Sequence, residues 1–118
     1  MAKQAINRTK NNQIVANTVE MATNPWTRFK GLMGRHSIPD GHSLWIEPCA
    51  DIHSFFMKFE FDALYLDKNG IVLHIVEAMK PWRVSKWVKG TQSVLELNKG
   101  VIKASQTSLG DQIDLVDI

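Results

Sequence analysis

Cysteine is almost missing from this chain: Cys49 is the single one in 118 residues, so no internal disulfide can form. That absence fits a reducing compartment. Long hydrophobic runs are missing too, and nothing approaches the ~18 apolar residues of a spanning helix. The start, Met1-Ala2-Lys3-Gln4-Ala5-Ile6-Asn7-Arg8, is polar and lacks the apolar core of a signal peptide. Together these absences predict a soluble, cytoplasmic protein without a membrane span. An excess of one charge is also lacking. A formal net charge of +2 gives no electrostatic case for nucleic acid. There is no internal repeat and no low-complexity tract.

What is present is ordinary for a folded domain. The apolar share of 44% and charged share of 22% argue against disorder, and the length suffices for a core without a metal or disulfide. Residues 1–12 read as a flexible polar arm and 13–118 as one domain. Alternation from Ile14 to Val19 predicts a first strand. Asn24-Pro25 is a helix start, and Trp26, Phe29, Leu32 and Met33 give an apolar face to a helix over 24–33, with Gly34 as its stop. Leu44-Trp45-Ile46, Ile52 to Phe61, Phe61 to Leu66, Ile71 to Val76, Ser93 to Leu97 and Ile113 to Leu115 read as strands, the fourth of them as a central one. Asn69-Gly70 between two apolar runs predicts a hairpin, and 99–107 a short helix. The expected fold is α+β, built on antiparallel sheet with short helices, a small barrel being one form it can take.

Four groups of residues carry possible chemistry. Cys49, His53 and Met57 recur at intervals of four, which keeps them on one face of a helix or strand. Thiolate, imidazole and thioether suit a soft metal, whereas a packed thiol and a core-filling Met are the plainer alternative. Cys49 with His53 as base and Asp62 behind it is a nucleophile arrangement, but no oxyanion loop accompanies it. Lys80 to Gly90 holds Trp82, Arg83 and Trp87 among four cations, either a contact surface or a loop whose Trp rings fold back over the core. Glu60 and Asp62 share a strand face, as catalytic acids or as solvated ones do.

The chain resembles the bacterial and archaeal domain-of-unknown-function family 192. The resemblance rests on Arg28-Phe29-Lys30-Gly31-Leu32-Met33-Gly34-Arg35, on Pro39, Gly41 and Leu44-Trp45-Ile46, and on Cys49 with His53-Ser54-Phe55-Phe56-Met57-Lys58-Phe59. It continues through Asp62-Ala63-Leu64-Tyr65-Leu66-Asp67, Gly70, Pro81, Val94-Leu95-Glu96-Leu97, Gly100 and Gly110-Asp111, covering the chain from about Trp26 onward. Where many members carry Trp-Met-Lys-Asn-Thr, this chain has Phe56-Met57-Lys58-Phe59-Glu60, which is similar to the branch with Cys and His before the Met. The resemblance implies a compact, strand-rich fold with short helices, and no activity.

Arg28, Arg35, His53, Lys58, Asp62 and Glu96 are the polar residues inside these motifs. They are expected to converge on one groove beside the sheet, the arginines partnering the acids. The resulting expectation is a non-enzymatic binding or accessory module for a small anionic ligand or a protein partner, using those residues with Cys49, Met57, Trp82, Arg83 and Trp87. It calls for no metal or cofactor. The alternative is a metal-dependent or thiol enzyme built on Cys49 and His53.

Overall fold

A computed structural model of the chain describes residues 2–118. Eight strands and two short helices follow in the order β1 (Lys3–Asn7), β2 (Gln13–Ala16), β3 (Thr18–Ala22), α1 (Pro25–Lys30), β4 (His42–Ile46), β5 (Phe61–Leu66), β6 (Val72–Met79), β7 (Ser93–Asn98), α2 (Val101–Ala104) and β8 (Ile113–Asp117). They make a three-stranded sheet, β2-β1-β8, and a five-stranded sheet, β3-β4-β7-β5-β6. All pairings are antiparallel except β3 with β4. The fold is α+β, as expected, but the sheets do not close into a barrel.

Side-chain alternation divides the five-stranded sheet into two faces. Leu64 and Leu66 of β5 and Leu95 and Leu97 of β7 pack with Ala5, Val15, Ala16 and Ile113 in one core cluster, beside the three-stranded sheet. Ala63 and Tyr65 of β5 and Val94 of β7 belong to the second cluster, with Leu32, Ile46, Ile52 and Met57. Glu96 alternates with Leu95 and Leu97, so it shares the Val94 face. It lies opposite Ala63 across the β5–β7 pair.

Several expectations need correction. The first residues are not a loose arm: β1 is the centre of its sheet, and Ala5, Ile6 and Asn7 are buried. Asn7 is tied down by its side chain, which donates to Thr107 Oγ1 at 3.2 Å and Asp111 Oδ2 at 3.0 Å. The first strand is two strands broken at Asn17. The 24–33 helix is only Pro25–Lys30, opened by the expected Asn24 cap and ended at Gly31. With φ of 48°, Gly31 adopts a backbone that side-chain-bearing residues avoid, so it stops the helix before Gly34 can. The supposed apolar helix face is open to solvent, with Trp26 65% and Phe29 58% exposed. β6 lies at a sheet edge rather than the centre.

The expected strand from Ile52 to Phe61 is irregular chain up to β5. The β5–β6 hairpin forms, though through a longer loop in which Asp67 Oδ1 accepts from the amides of Asn69 and Ile71. Only Gly70 of the Asn-Gly pair has positive φ, and a Cβ there would lie 2.3 Å from the Ile113 carbonyl oxygen. No helix among the described residues is long and apolar enough to cross a membrane.

Candidate functional site: a cleft under an aromatic ridge

Three pieces of chain meet on the Val94–Glu96 face. The end of α1 brings Arg28, Phe29 and Gly31; the irregular segment 47–60 brings Cys49, His53 and Met57; and β7 supplies Glu96 as the floor. Together they enclose a cavity of about 50 Å³. That exceeds the room one water needs, about 10–15 Å³, and falls far short of a drug-sized site.

The segment 47–60 is held by its own Ser54 and by Ser85 across from it. Ser54 is fully buried, its Oγ donating to the Lys80 carbonyl at 2.6 Å and accepting from the Arg83 amide at 2.8 Å. The Ser54 carbonyl in turn accepts from the Trp82 amide at 2.9 Å. Ser85 Oγ accepts from the Ile52 amide at 2.9 Å and hydrogen-bonds the Tyr65 hydroxyl. These bonds lock the segment 52–57 against 80–85. The motif His53-Ser54-Phe55-Phe56-Met57 therefore works as a loop clamp, a role that strand periodicity could not reveal.

The cleft holds two buried polar atoms that no protein group satisfies: Arg28 Nε, a donor, and Glu96 Oε1. The Arg28 guanidinium is anchored by one donation, from Nη1 to the Pro48 carbonyl at 3.0 Å. It makes no ion pair with Glu96. Arg35, the other expected partner, spends its guanidinium on Glu20 at 2.7 Å. Glu96 is thus a carboxyl group 3% exposed with no ion-pair partner among the described residues. Burial pushes it up to about 8, with the charge of Arg35 opposing the rise only in part. At neutral pH it is mostly the uncharged acid.

The thiol and imidazole are also accounted for. Burial above all, with smaller contributions from nearby Glu96 and Asp51, pushes Cys49 up to about 11 despite the lowering bond from its Sγ to the Asp51 carbonyl at 2.9 Å. It rests as a thiol, not a nucleophilic thiolate. His53 Nδ1 accepts from the Phe55 amide at 3.2 Å, which makes its Nε2 the donor to the Phe29 carbonyl at 3.3 Å. Both ring nitrogens are occupied, so His53 is oriented as structure rather than as a base for Cys49. No group of three or more His, Cys, Asp or Glu side chains is placed to hold a metal ion among the described residues.

Above the cleft runs a continuous line of rings. Trp26 meets Phe29 at 6.3 Å between centroids, Phe29 meets His53 at 5.7 Å, and His53 stacks on Phe55 at 5.2 Å. Phe55 meets Trp82 at 6.0 Å, and Trp82 meets Phe56 at 4.7 Å. All of these tryptophans and phenylalanines are exposed, Phe56 at 59% and Trp82 at 55%. Phe56 and Trp82 both have φ of 62°, the left-handed region that bulky residues avoid. The cations Lys58, Lys80, Arg83, Lys86 and Lys89 lie exposed on the segments that carry this ridge.

The expected groove is therefore assembled in part. Arg28, Cys49, His53, Met57 and Glu96 come together, and Trp82 and Arg83 sit on the adjoining ridge. Trp82 and Trp87 do not fold back over the core, and Trp87, 63% exposed, stands apart from the ring line. Lys58 is exposed, and Arg35 is engaged with Glu20. Asp62 lies on the opposite face of the sheet, among the residues of the α2 turn. There it accepts from the amides of Ala78, Gly100 and Ile102, so it is neither a partner of Arg28 nor a helper of His53. Glu60, offered as its acid partner, pairs with Lys99 instead. Sequence pattern assigns Trp26 and Phe29 to a packed helix face and gives no site role to Phe55, Phe56, Ser54 or Ser85. Runs of aromatics ordinarily signal core, and only the short helix and missing strand leave them outside.

Residues 5–115 match DUF192, described as an uncharacterised ACR. The chain belongs to that family. It is 32% identical to the UPF0127 protein of Thermococcus sibiricus over 114 residues, covering 92% of this chain and 72% of the relative. It is likewise 32% identical to a UPF0127 protein of Pyrococcus abyssi over 104 residues, 83% of this chain and 86% of that one. A solved structure from Sinorhizobium meliloti, described as a candidate transcription regulator, superposes with a TM-score of 0.85 at 24% identity, covering 97% of this chain and 93% of its own. A protein of unknown function from Novosphingobium aromaticivorans gives 0.83 at 19% identity, covering 97% and 84%. At those identities the superpositions speak for the fold of this DUF192 member alone.

Proposed function

We propose that this DUF192 domain is a binding module that docks an acidic, apolar-bearing segment of a partner protein along its aromatic ridge. The observation that carries the reading is the ridge itself: five exposed tryptophans and phenylalanines in one contiguous line. Contiguous exposed apolar surface of this kind marks interaction sites, and tryptophan is enriched at interface hot spots. Exposed cations flank it, so charge complementarity selects an acidic partner. The left-handed backbone at both Phe56 and Trp82 adds support, because strain of about 1–3 kcal/mol per residue tends to collect at working surfaces. An enzyme built on Cys49 and His53 fits less well, since the thiol is protonated and both imidazole nitrogens are bonded elsewhere.

Site-specific photo-crosslinking in living cells tests this reading. A photoreactive residue at position 56 should yield an adduct of discrete mass that disappears with Arg83→Glu. The same residue at Ile14, which is 49% exposed on β2, should not yield it. Absence of the adduct, or equal labelling from position 14, would contradict the docking role.

A further inference from the structure

Resting on the ridge reading, we infer that the cleft beneath it is a carboxylate-binding site, in which Arg28 Nε–H and the Glu96 carboxyl group together grip one carboxylate of the docked acidic segment. The cavity is too small for a whole ligand and large enough for one terminal group. Two buried polar atoms without a partner, Arg28 Nε and Glu96 Oε1, belong to residues that line it. An unmet buried hydrogen-bonding group is unusual in a folded protein and asks for a partner.

The choice of a carboxylate follows from the charges. Arg28 carries a permanent positive charge and offers a free N–H. Glu96, buried without an ion pair, keeps its proton and can donate it in an O–H···O hydrogen bond to an anion. Two carboxyl groups sharing one proton form a short, strong bond of this kind. The titratable and charged groups facing Glu96 are Arg28 and Lys30 from α1, Arg35 from the following turn, Cys49, Asp51 and His53 from the 47–60 segment, and Tyr65 from β5. Arg35 is paired with Glu20, which leaves Arg28 and Lys30 against the one carboxylate Asp51, so the balance favours an anion. Cys49 and Tyr65 are held above neutrality and stay uncharged. An ammonium group would meet Arg28 and an uncharged acid. A neutral amide could satisfy both atoms yet would gain nothing from the charge.

Acetate is the probe, titrated against the intact chain with amide signals of Gly31, Cys49 and Glu96 as the readout. At pH 6.5, acetate should shift them saturably, more tightly than acetamide or methanol, with chloride at equal ionic strength as the blank. Above the Glu96 titration near 8 its affinity should fall about tenfold per pH unit. Glu96→Gln, whose amide donates at every pH, should retain binding and lose the pH dependence, while Arg28→Gln should lose at least tenfold with the fold intact. Shifts that are equal for acetate and acetamide, or pH-independent in the unaltered chain, would overturn the inference. If acetate fails to bind while the position-56 adduct persists, the carboxylate site falls and the ridge reading stands. Saturable acetate binding without any adduct would overturn the ridge reading and leave the carboxylate site standing.

Discussion

Asp62 and Glu96 sit on neighbouring strands of one sheet, equally buried, and live in opposite circumstances. Asp62, on β5, is 1% exposed and accepts from three backbone amides. It closes the irregular end of β6 at Ala78 and fixes the entry to α2, whose own cap residue, Gly100, has no side chain to offer. Glu96, on β7, is 3% exposed, and its Oε1 has no hydrogen-bond partner among the described residues. The difference is one of face. Alternation turns Asp62 toward the closely packed α2 side and Glu96 toward the loop-built side, where the irregular segment 47–60 leaves a cleft. A buried carboxyl group whose bonds are all met is a fastener, and one left open beside a cavity is a candidate for binding.

The largest effect is expected at Asp62. Asp62→Ala leaves three backbone amides without their acceptor, that of Ile102 buried and those of Ala78 and Gly100 part-buried, and should cost about 2–3 kcal/mol, read from the urea midpoint. Asp62→Ala should leave acetate binding in the surviving folded protein unchanged, because it lies across the sheet from the cleft.

The pH dependence of stability gives the next effect. The folded pKa of Glu96 lies above its unfolded value of 4.5, at about 8. Between those values the unfolded chain has released a proton that the folded chain retains. Stability should therefore fall as pH rises from 4.5 to about 8, by up to ~1.4 kcal/mol per pH unit from this group, and level off above. Asp111 acts in another window. Burial alone would raise it, but the Lys10 ammonium at 2.8 Å, the Asn7 amide and the Ser108 N–H outweigh that and hold it below its ordinary 3.8. Its contribution is lost only as pH falls further, so the two are separable in one titration of stability.

Replacing Glu96 sharpens the contrast. Glu96→Gln should be within ~1 kcal/mol of the unaltered chain at pH 4 and increasingly the more stable of the two as pH rises from 4.5 toward 8, since glutamine takes up no proton on folding. Smallest of all should be the ridge. Trp82→Ala should change stability by about 1 kcal/mol or less, the worth of its ring contacts, while abolishing the position-56 adduct. Trp87→Ala, outside the ring line, should stay within ~0.5 kcal/mol and leave the adduct intact.

Much of the fold was legible because strands announce themselves by alternation. β5, β7 and β8, the cap at Asn24 and the β5–β6 hairpin all follow from local pattern. β1 was missed because Lys3-Gln4-Ala5-Ile6-Asn7 is short and polar, and its burial depends on β8, over a hundred residues away. The 52–60 segment misled because aromatics favour strands on average, whereas here Ser54 and Ser85 hold the backbone in loops and leave the rings outside. The site was legible in composition but not in layout. Arg28, Cys49, His53, Met57 and Glu96 do converge; Asp62 could not be excluded without knowing which face of the sheet each strand presents. The same ignorance hid the ridge, since it draws on α1 and two loops remote in sequence.

The most direct test of this account is the titration of the Glu96 side chain itself, followed by its carboxyl carbon signal from pH 3.5 to 10 in the unliganded chain. The account predicts an inflection near 8, moving upward when acetate is present. An inflection near the ordinary 4.5, unmoved by acetate, would contradict it, because Glu96 would then be a solvated carboxylate with no proton to share.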